Sequence, residues 1–171
     1  MGEMSDAEYE NVTYEYRRHV ARLRSSLPLG LRLLAEGGGT LSLHDARFID
    51  LRRKVGSPNV LLADIASWDV QHGTLVDNVW SYPMLHVRMV YRNAELLEPP
   101  PERPMTVVRG DNVEILYGEI DRTPTGQLEH RMLLWPSTAG SFEVRFDDVD
   151  VVAMRFDDGA VSLVEPERDR T

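Results

Sequence analysis

The sequence predicts an α+β fold, in which an N-terminal helix and a short second helix pack on an antiparallel β-sandwich or open barrel of about seven strands. Two changes of pattern carry that expectation. Up to about residue 26 apolar residues recur at spacings of three and four, and beyond residue 43 they alternate with polar residues at a period of two. The segments between the later runs are mostly short and rich in Gly, Pro, Ser and Thr. A parallel crossover needs a dozen or more residues, so strands joined this way run antiparallel.

Taken in order, Tyr9, Val12, Tyr16, Val20 and Leu23 trace one face of a helix from Ala7 to about Ser26, with Ser5 or Asp6 as its cap. Glu8 and Glu10 lie near its start and Arg17, Arg18, Arg22 and Arg24 toward its end, the distribution the helix dipole favours. Pro28 opens the expected second helix through Leu31, Leu33 and Leu34, and Gly37-Gly38-Gly39 ends it. Segments 46–55, 59–68, 84–92, 113–122, 127–135, 141–146 and 149–156 read as strands. Breakers part most of them: Gly56-Ser57-Pro58, Pro99-Pro100-Pro101, Thr123 to Gly126 and Ser137 to Gly140. The expected organisation is one domain over 1–171: a helical element over 1–36, an antiparallel β domain over 43–164 and a charged, frayed tail over 165–171.

Composition narrows the function classes. With 42% hydrophobic and 27% charged residues, a 171-residue chain builds an ordinary packed core. Without cysteine it has neither disulfides nor thiolate metal sites. The first twenty residues lack the apolar run of a signal peptide and no stretch reaches membrane-spanning length, so the expected location is the cytoplasm. The sequon Asn11-Val12-Thr13 is then read as chance. A net charge of −9 repels phosphate backbones and anionic membranes and favours a basic or polar partner. Of 19 basic residues Lys54 alone is lysine, and the arginines are expected in ion-pair networks with carboxylates.

The hairpin around Thr123 to Gly126 holds the sharpest candidate chemistry. Val113, Ile115, Tyr117 and Glu119 share one face of its first strand, and Leu128, His130, Met132 and Leu134 one face of its second. A four-residue loop sets Glu119 opposite His130, and a two-residue loop sets Asp121 there. Glu119, His130 and Tyr117 are therefore the catalytic candidates, a general base with its orienting acid; the competing reading is a cross-strand ion pair. His44 and Asp45 are expected on opposite faces, with Asp45 capping turn amides. His72, His86 and His130 match no metal-ligand spacing, so no metal is expected. Asp147, Asp148, Asp150, Asp157 and Asp158 make an acidic edge, with Asp157-Asp158-Gly159 as a tight turn. No phosphate-loop, dinucleotide, nucleophile-elbow or zinc-protease motif occurs, and no cofactor is expected. The connections 69–83 and 93–112 exceed what turns require. The first, with Trp80, Tyr82, Pro83 and Trp68 just before it, reads first as a loop folded over an open end of the sheet and second as an exposed recognition surface.

The strings LHDARFIDLRR at 43–53, MLHVRMVYRNAELLE at 84–98, LYGEID at 116–121, HRMLLW at 130–135 and FEVRFDDVDV at 142–151 resemble small bacterial β-rich domains, several of them immunity-like proteins of polymorphic toxins. The resemblance implies a binding protein that masks the active site of a cognate toxin, and brings no catalytic residue with it. Three readings follow. The chain is a protein-binding domain, using Trp68, Trp80 and Tyr82 or Asp147, Asp148 and Asp150 as its contact. It is a small-ligand-binding or hydrolytic barrel built on Glu119, His130 and Tyr117. Or it is a homo-oligomer subunit joined through a strand edge or its N-terminal helix.

Overall fold

The computed structural model describes residues 5–98, 113–135, 141–157 and 160–164. Helix α1 (Asp6–Leu23) opens on a capping box: the Ser5 hydroxyl accepts the Glu8 N–H, and the Glu8 carboxylate accepts the Ser5 N–H at 2.8 Å. Its inner side buries Val20 and, in part, Leu23. It is tied to the sheet by the Ile120 N–H donating to the Tyr16 hydroxyl at 2.8 Å and by His19 Nε2 at 2.9 Å from Asp121.

The expected second helix is instead a chain of single 3₁₀ turns, Leu31–Leu33 and Ala35–Gly37, separated by an extended Leu34 that bridges to Leu41. Burial gives the reason. Leu31, Leu33 and Leu34 are all in the core, and residues two apart lie on nearly opposite sides of an α-helix, so no helix facing the sheet buries all three. The glycines that follow are required for close approach: a Cβ on Gly37 would overlap the carbonyl of Leu31. Gly37→Ala is expected to cost about 2 kcal/mol or more of stability, read as a lower urea midpoint.

All seven expected strands are present, with four short ones besides. In chain order they are β1 (Arg47–Lys54), β2 (Ser57–Trp68), β3 (Thr74–Val76), β4 (Val79–Ser81), β5 (Met84–Arg92), β6 (Glu95–Glu98), β7 (Glu114–Arg122), β8 (Leu128–Trp135), β9 (Ser141–Phe146), β10 (Asp148–Asp157) and β11 (Ala160–Val164). Nine form one antiparallel sheet in the order β11-β10-β5-β2-β1-β7-β8-β9-β6, and β3 and β4 pair apart from it. Strand β5 runs into β6 through Asn93 and Ala94, and β9 into β10 through Asp147. Since β5 pairs with β10 near one end of the order and β6 with β9 at the other, the sheet curls back along this bent ribbon. At the bend Asn93 has φ +50° and donates to Asp147, whose N–H donates to the Arg92 carbonyl.

The inner face carries Leu51, Leu61, Ile65, Met89, Ile115 and Phe146, all fully buried. Each large aliphatic side chain so removed from water contributes about 2 kcal/mol. The other face of β1, β2 and β5 is ionic around Asp64. Asp64 accepts from Arg88 Nε at 2.7 Å and Arg52 Nη1 at 2.8 Å, with His86 Nε2 3.2 Å away. Burial resists ionisation of Asp64, but the two guanidinium groups outweigh it and hold its carboxyl below the usual range. This is the arginine–carboxylate pairing that the composition led us to expect.

Candidate functional site

The catalytic trio does not assemble. The β7–β8 hairpin closes with the Thr123 N–H on the Gln127 carbonyl and Gly126 in the left-handed region at φ +92°, and Arg122 pairs with Leu128. The loop therefore holds an odd number of residues, whereas both anticipated registers need an even one. Ile120 faces His130 and Glu119 faces Arg131, and a slip of one residue sends side chains to opposite faces. A bulge at Leu116, between the pairs Ile115–Leu134 and Tyr117–Leu133, adds the extra residue that turns Tyr117 and Glu119 outward while Ile115 stays in the core.

Outside, Tyr117 and Glu119 border a half-open cleft of about 280 Å³ with Arg131, Leu133, Ser141 and Glu143. Arg131 donates to Glu143 and to Glu129 at 2.9 Å each and lies 3.9 Å from Glu119. The guanidinium engages these carboxylates and stiffens the sheet surface; burial opposes ionisation of Glu129, but its hydrogen bonds from Arg145 and Arg131 hold its pKa below the usual value.

Inside, His130 is fully buried, its Nδ1 2.8 Å from the Tyr91 hydroxyl, and the Phe146 ring meets the Tyr91 ring edge-on at 5.0 Å. Either Tyr91 donates to Nδ1, or Nδ1 donates to the hydroxyl, which then turns to Met89 Sδ 2.9 Å away. In both cases Nε2 is enclosed without a partner. Burial lowers the His130 pKa to about 4, so the ring is neutral at pH 7. The Tyr91 hydroxyl is pushed well above its usual range, by burial first and then by the charge of Glu36.

Glu36 is the residue that sequence reasoning missed. It leaves the Ala35–Gly37 turn as a half-buried residue, and its Oε1 would lie 2.7 Å from a Cβ at Gly118, so the glycine there gives the carboxyl room. Oε2 is enclosed without a partner. Burial raises its pKa to about 7, against smaller opposing effects from its own backbone N–H and from His44. Nothing in LLAEGGG marks this carboxylate as buried. Tyr91 was legible, since it continues the inward phase of Leu85, Val87 and Met89.

The other histidines are dispersed: His72 lies on Asp69, His86 on Asp64 and His130 in the core, and no group of three metal-ligating side chains exists among the described residues. His44 and Asp45 do meet, Nδ1 to Oδ1 at 2.9 Å, because Asp45 at φ +60° leaves the extended geometry that would have parted them. In the acidic edge Asp150 pairs with Arg92, Asp148 lies 4.0 Å from the same guanidinium and Asp147 accepts from Asn93, so its charge is partly neutralised. Asp157 pairs with Ala160 across the last turn; Asp158 and Gly159 lie outside the described residues, as do Pro99 to Pro101, Ser137 to Gly140 and the 165–171 tail.

The aromatic connection stands out from the sheet instead of covering its end. Strands β3 and β4 form a hairpin on the two-residue turn Asp77-Asn78, both at positive φ, and every residue of the two strands is exposed. Its root is fixed by Asp69, which is buried. The Asp69 N–H donates to the Pro83 carbonyl at 2.9 Å, and its carboxylate accepts from Arg155 at 2.5 Å and contacts His72 at 2.9 Å. Burial opposes ionisation of Asp69, yet His72 and Arg155 hold its pKa below the usual value. Trp80 stacks on Tyr82 with centroids 6.1 Å apart and planes 8° from parallel, over Gly73.

Beside this stalk the sheet presents an apolar row on its outer face. Trp68 pairs with Met84, Met84 with Phe156 and Phe156 with Val161, crossing β2, β5, β10 and β11. Trp68 is 58% exposed, Met84 46% and Val161 60%. The next row on the same face runs Ala66, His86, Met154 and Leu163. Arg92 and the acidic edge lie eight residues further along β5, about 27 Å from Met84, so the two anticipated contact surfaces occupy opposite ends of the same strands. Comparison of the chain with family models, with curated proteins and with solved structures returned no match.

Proposed function

We propose that the protein is a small protein-binding domain whose contact surface is the row Trp68, Met84, Phe156 and Val161 together with the Trp80–Tyr82 stack, borne on a sheet curled as an open barrel. The observation that carries this reading is the row itself: large apolar side chains, three of them about half exposed or more, in register across four hydrogen-bonded strands. Contiguous exposed apolar surface on a rigid scaffold is the usual mark of a protein contact, and aromatic anchors commonly dominate its energetics. In its specific form the role is immunity-like: the domain acts in the cytosol and seats this face on a cognate basic toxin, with the net charge of −9 steering the encounter.

The test is capture of the partner from source-cell lysate by tagged wild type and by the double variant Trp68→Ala, Trp80→Ala. Both tryptophans are exposed, so thermal stability should hold within a few degrees while affinity falls at least about tenfold. Charge reversal at Asp147, Asp148 and Asp150 should alter mainly the salt dependence. Undiminished capture by the tryptophan variant, with capture lost in the charge-reversed one, would transfer the contact to the acidic edge.

A further inference from the structure

The two strands that end the sheet differ in how they are guarded. Strand β6 carries Glu95 and Glu98 within its four residues. Strand β11, Ala-Val-Ser-Leu-Val, carries neither charge nor proline, has β10 as its one hydrogen-bonded neighbour among the described residues, and exposes Ala160 to Leu163. Exposed strand edges are ordinarily blunted by charge, proline or cover, because free N–H and C=O groups template pairing with another chain. An edge left bare is one that pairs.

We propose that β11 is a homodimerisation edge, where two copies join their sheets antiparallel across a two-fold axis at Ser162. Self-complementarity selects a second copy over an unrelated strand. Antiparallel pairing centred on Ser162 sets Val161 against Leu163 of the other copy, Ala160 against its Val164 and Ser162 against its own twin, so each apolar side chain meets an apolar partner on its own face and the serine meets a serine. The strand is uncharged, so two chains of net charge −9 meet here without opposed like charges in the seam. The pairing also makes continuous the outer rows that hold Phe156 and Val161, and Met154 and Leu163, in each copy. The edge meets the proposed contact row at its outermost member, Val161, and the dimer is tested by mass and register with no partner present.

Cysteine placement tests both the dimer and its register, on a chain with no cysteine of its own. Residues directly opposed in an antiparallel pair have Cα atoms about 4.5–5.5 Å apart, within disulfide range, so Ser162→Cys should give a covalent dimer on mild oxidation. Ala160→Cys, whose twin lies about 13 Å off in this register, should not. Sedimentation of the cysteine-free protein should show twice the 19.5 kDa chain mass, and the variant Val161→Lys, Leu163→Lys, altered at two exposed positions, should sediment as a folded monomer whose thermal midpoint, unlike that of the wild type, does not depend on protein concentration. A monomeric wild type up to about 200 μM, equal cross-linking of both cysteine variants, or a dimer that survives the lysines would each overturn the proposal.

Discussion

Replacing Glu36 with glutamine is expected to stabilise the protein by about 3 kcal/mol at pH 8 and to leave its stability nearly unchanged below pH 4.5. In the folded chain the carboxyl holds its proton to about pH 7, against 4.5 when solvated, because ionisation would place a charge where Oε2 has no partner. Each tenfold change in proton affinity is worth about 1.4 kcal/mol, which sets the size of the effect. The sign follows from which state binds the proton. Between pH 4.5 and 7 the folded chain keeps it and the unfolded chain has lost it, so this stabilisation is complete below 4.5 and is lost as pH rises through 7. The groups that interact with the charge of Glu36 are Tyr16 on α1, His44 before β1 and Tyr91 on β5; the nearby Arg24 guanidinium is committed to the Gly37 carbonyl at 2.8 Å. Urea midpoints for both proteins at pH 5 and pH 8 decide the matter, and parallel pH dependences would show that the carboxylate is solvated.

His130→Ala is expected to be the most damaging single substitution discussed, lowering stability by about 3–4 kcal/mol at pH 7 through a core cavity and an orphaned Tyr91 hydroxyl. Tyr91→Phe alone should cost about 1–2 kcal/mol, because it strands Nδ1. The double variant Tyr91→Phe, His130→Leu should cost well under the sum of its single changes, since it removes both ends of the 2.8 Å contact. A double-mutant cycle from urea melts reads this coupling, and strict additivity would mean that the contact contributes nothing. His130 has its own pH signature. Its folded pKa of about 4 lies below the unfolded 6.5, so its contribution is present above 6.5 and lost as pH falls through 4. Glu36 and His130 therefore push stability in opposite directions between pH 4.5 and 6.5, and the Glu36→Gln variant should expose the histidine slope that wild type conceals.

The sequence made the long strands plain because alternation over eight or more residues leaves little choice of phase. MLHVRMVYR became β5 with the bounds expected of it, Met84–Arg92. Strands of three and four residues, such as Thr74–Val76 and Glu95–Glu98, are too short to show a period. The Glu119–His130 pairing failed on parity. Ile115, Leu116 and Tyr117 are all apolar, so nothing in their pattern says which one bulges, and a loop one residue longer or shorter reverses every face beyond it. The Glu36 carboxyl lies against a glycine 82 positions away at 118, a relation no local pattern encodes. The exposure of Trp68 and Trp80 was likewise a matter of tertiary placement, set by Asp69 and Arg155 at the hairpin root.

The ribbon bent at Asn93 and Asp147 has a consequence for how the molecule comes apart. An open sheet frays strand by strand from its ends, and the free energy of each local opening is small. Here β6 cannot peel from β9 without disturbing β5, its covalent continuation in the middle of the sheet, and β9 is bound in the same way to β10. Loosening at that end is thus charged against the best-packed strands, and the curled sheet of a single copy opens as one cooperative unit in which only β11 lacks such a tie.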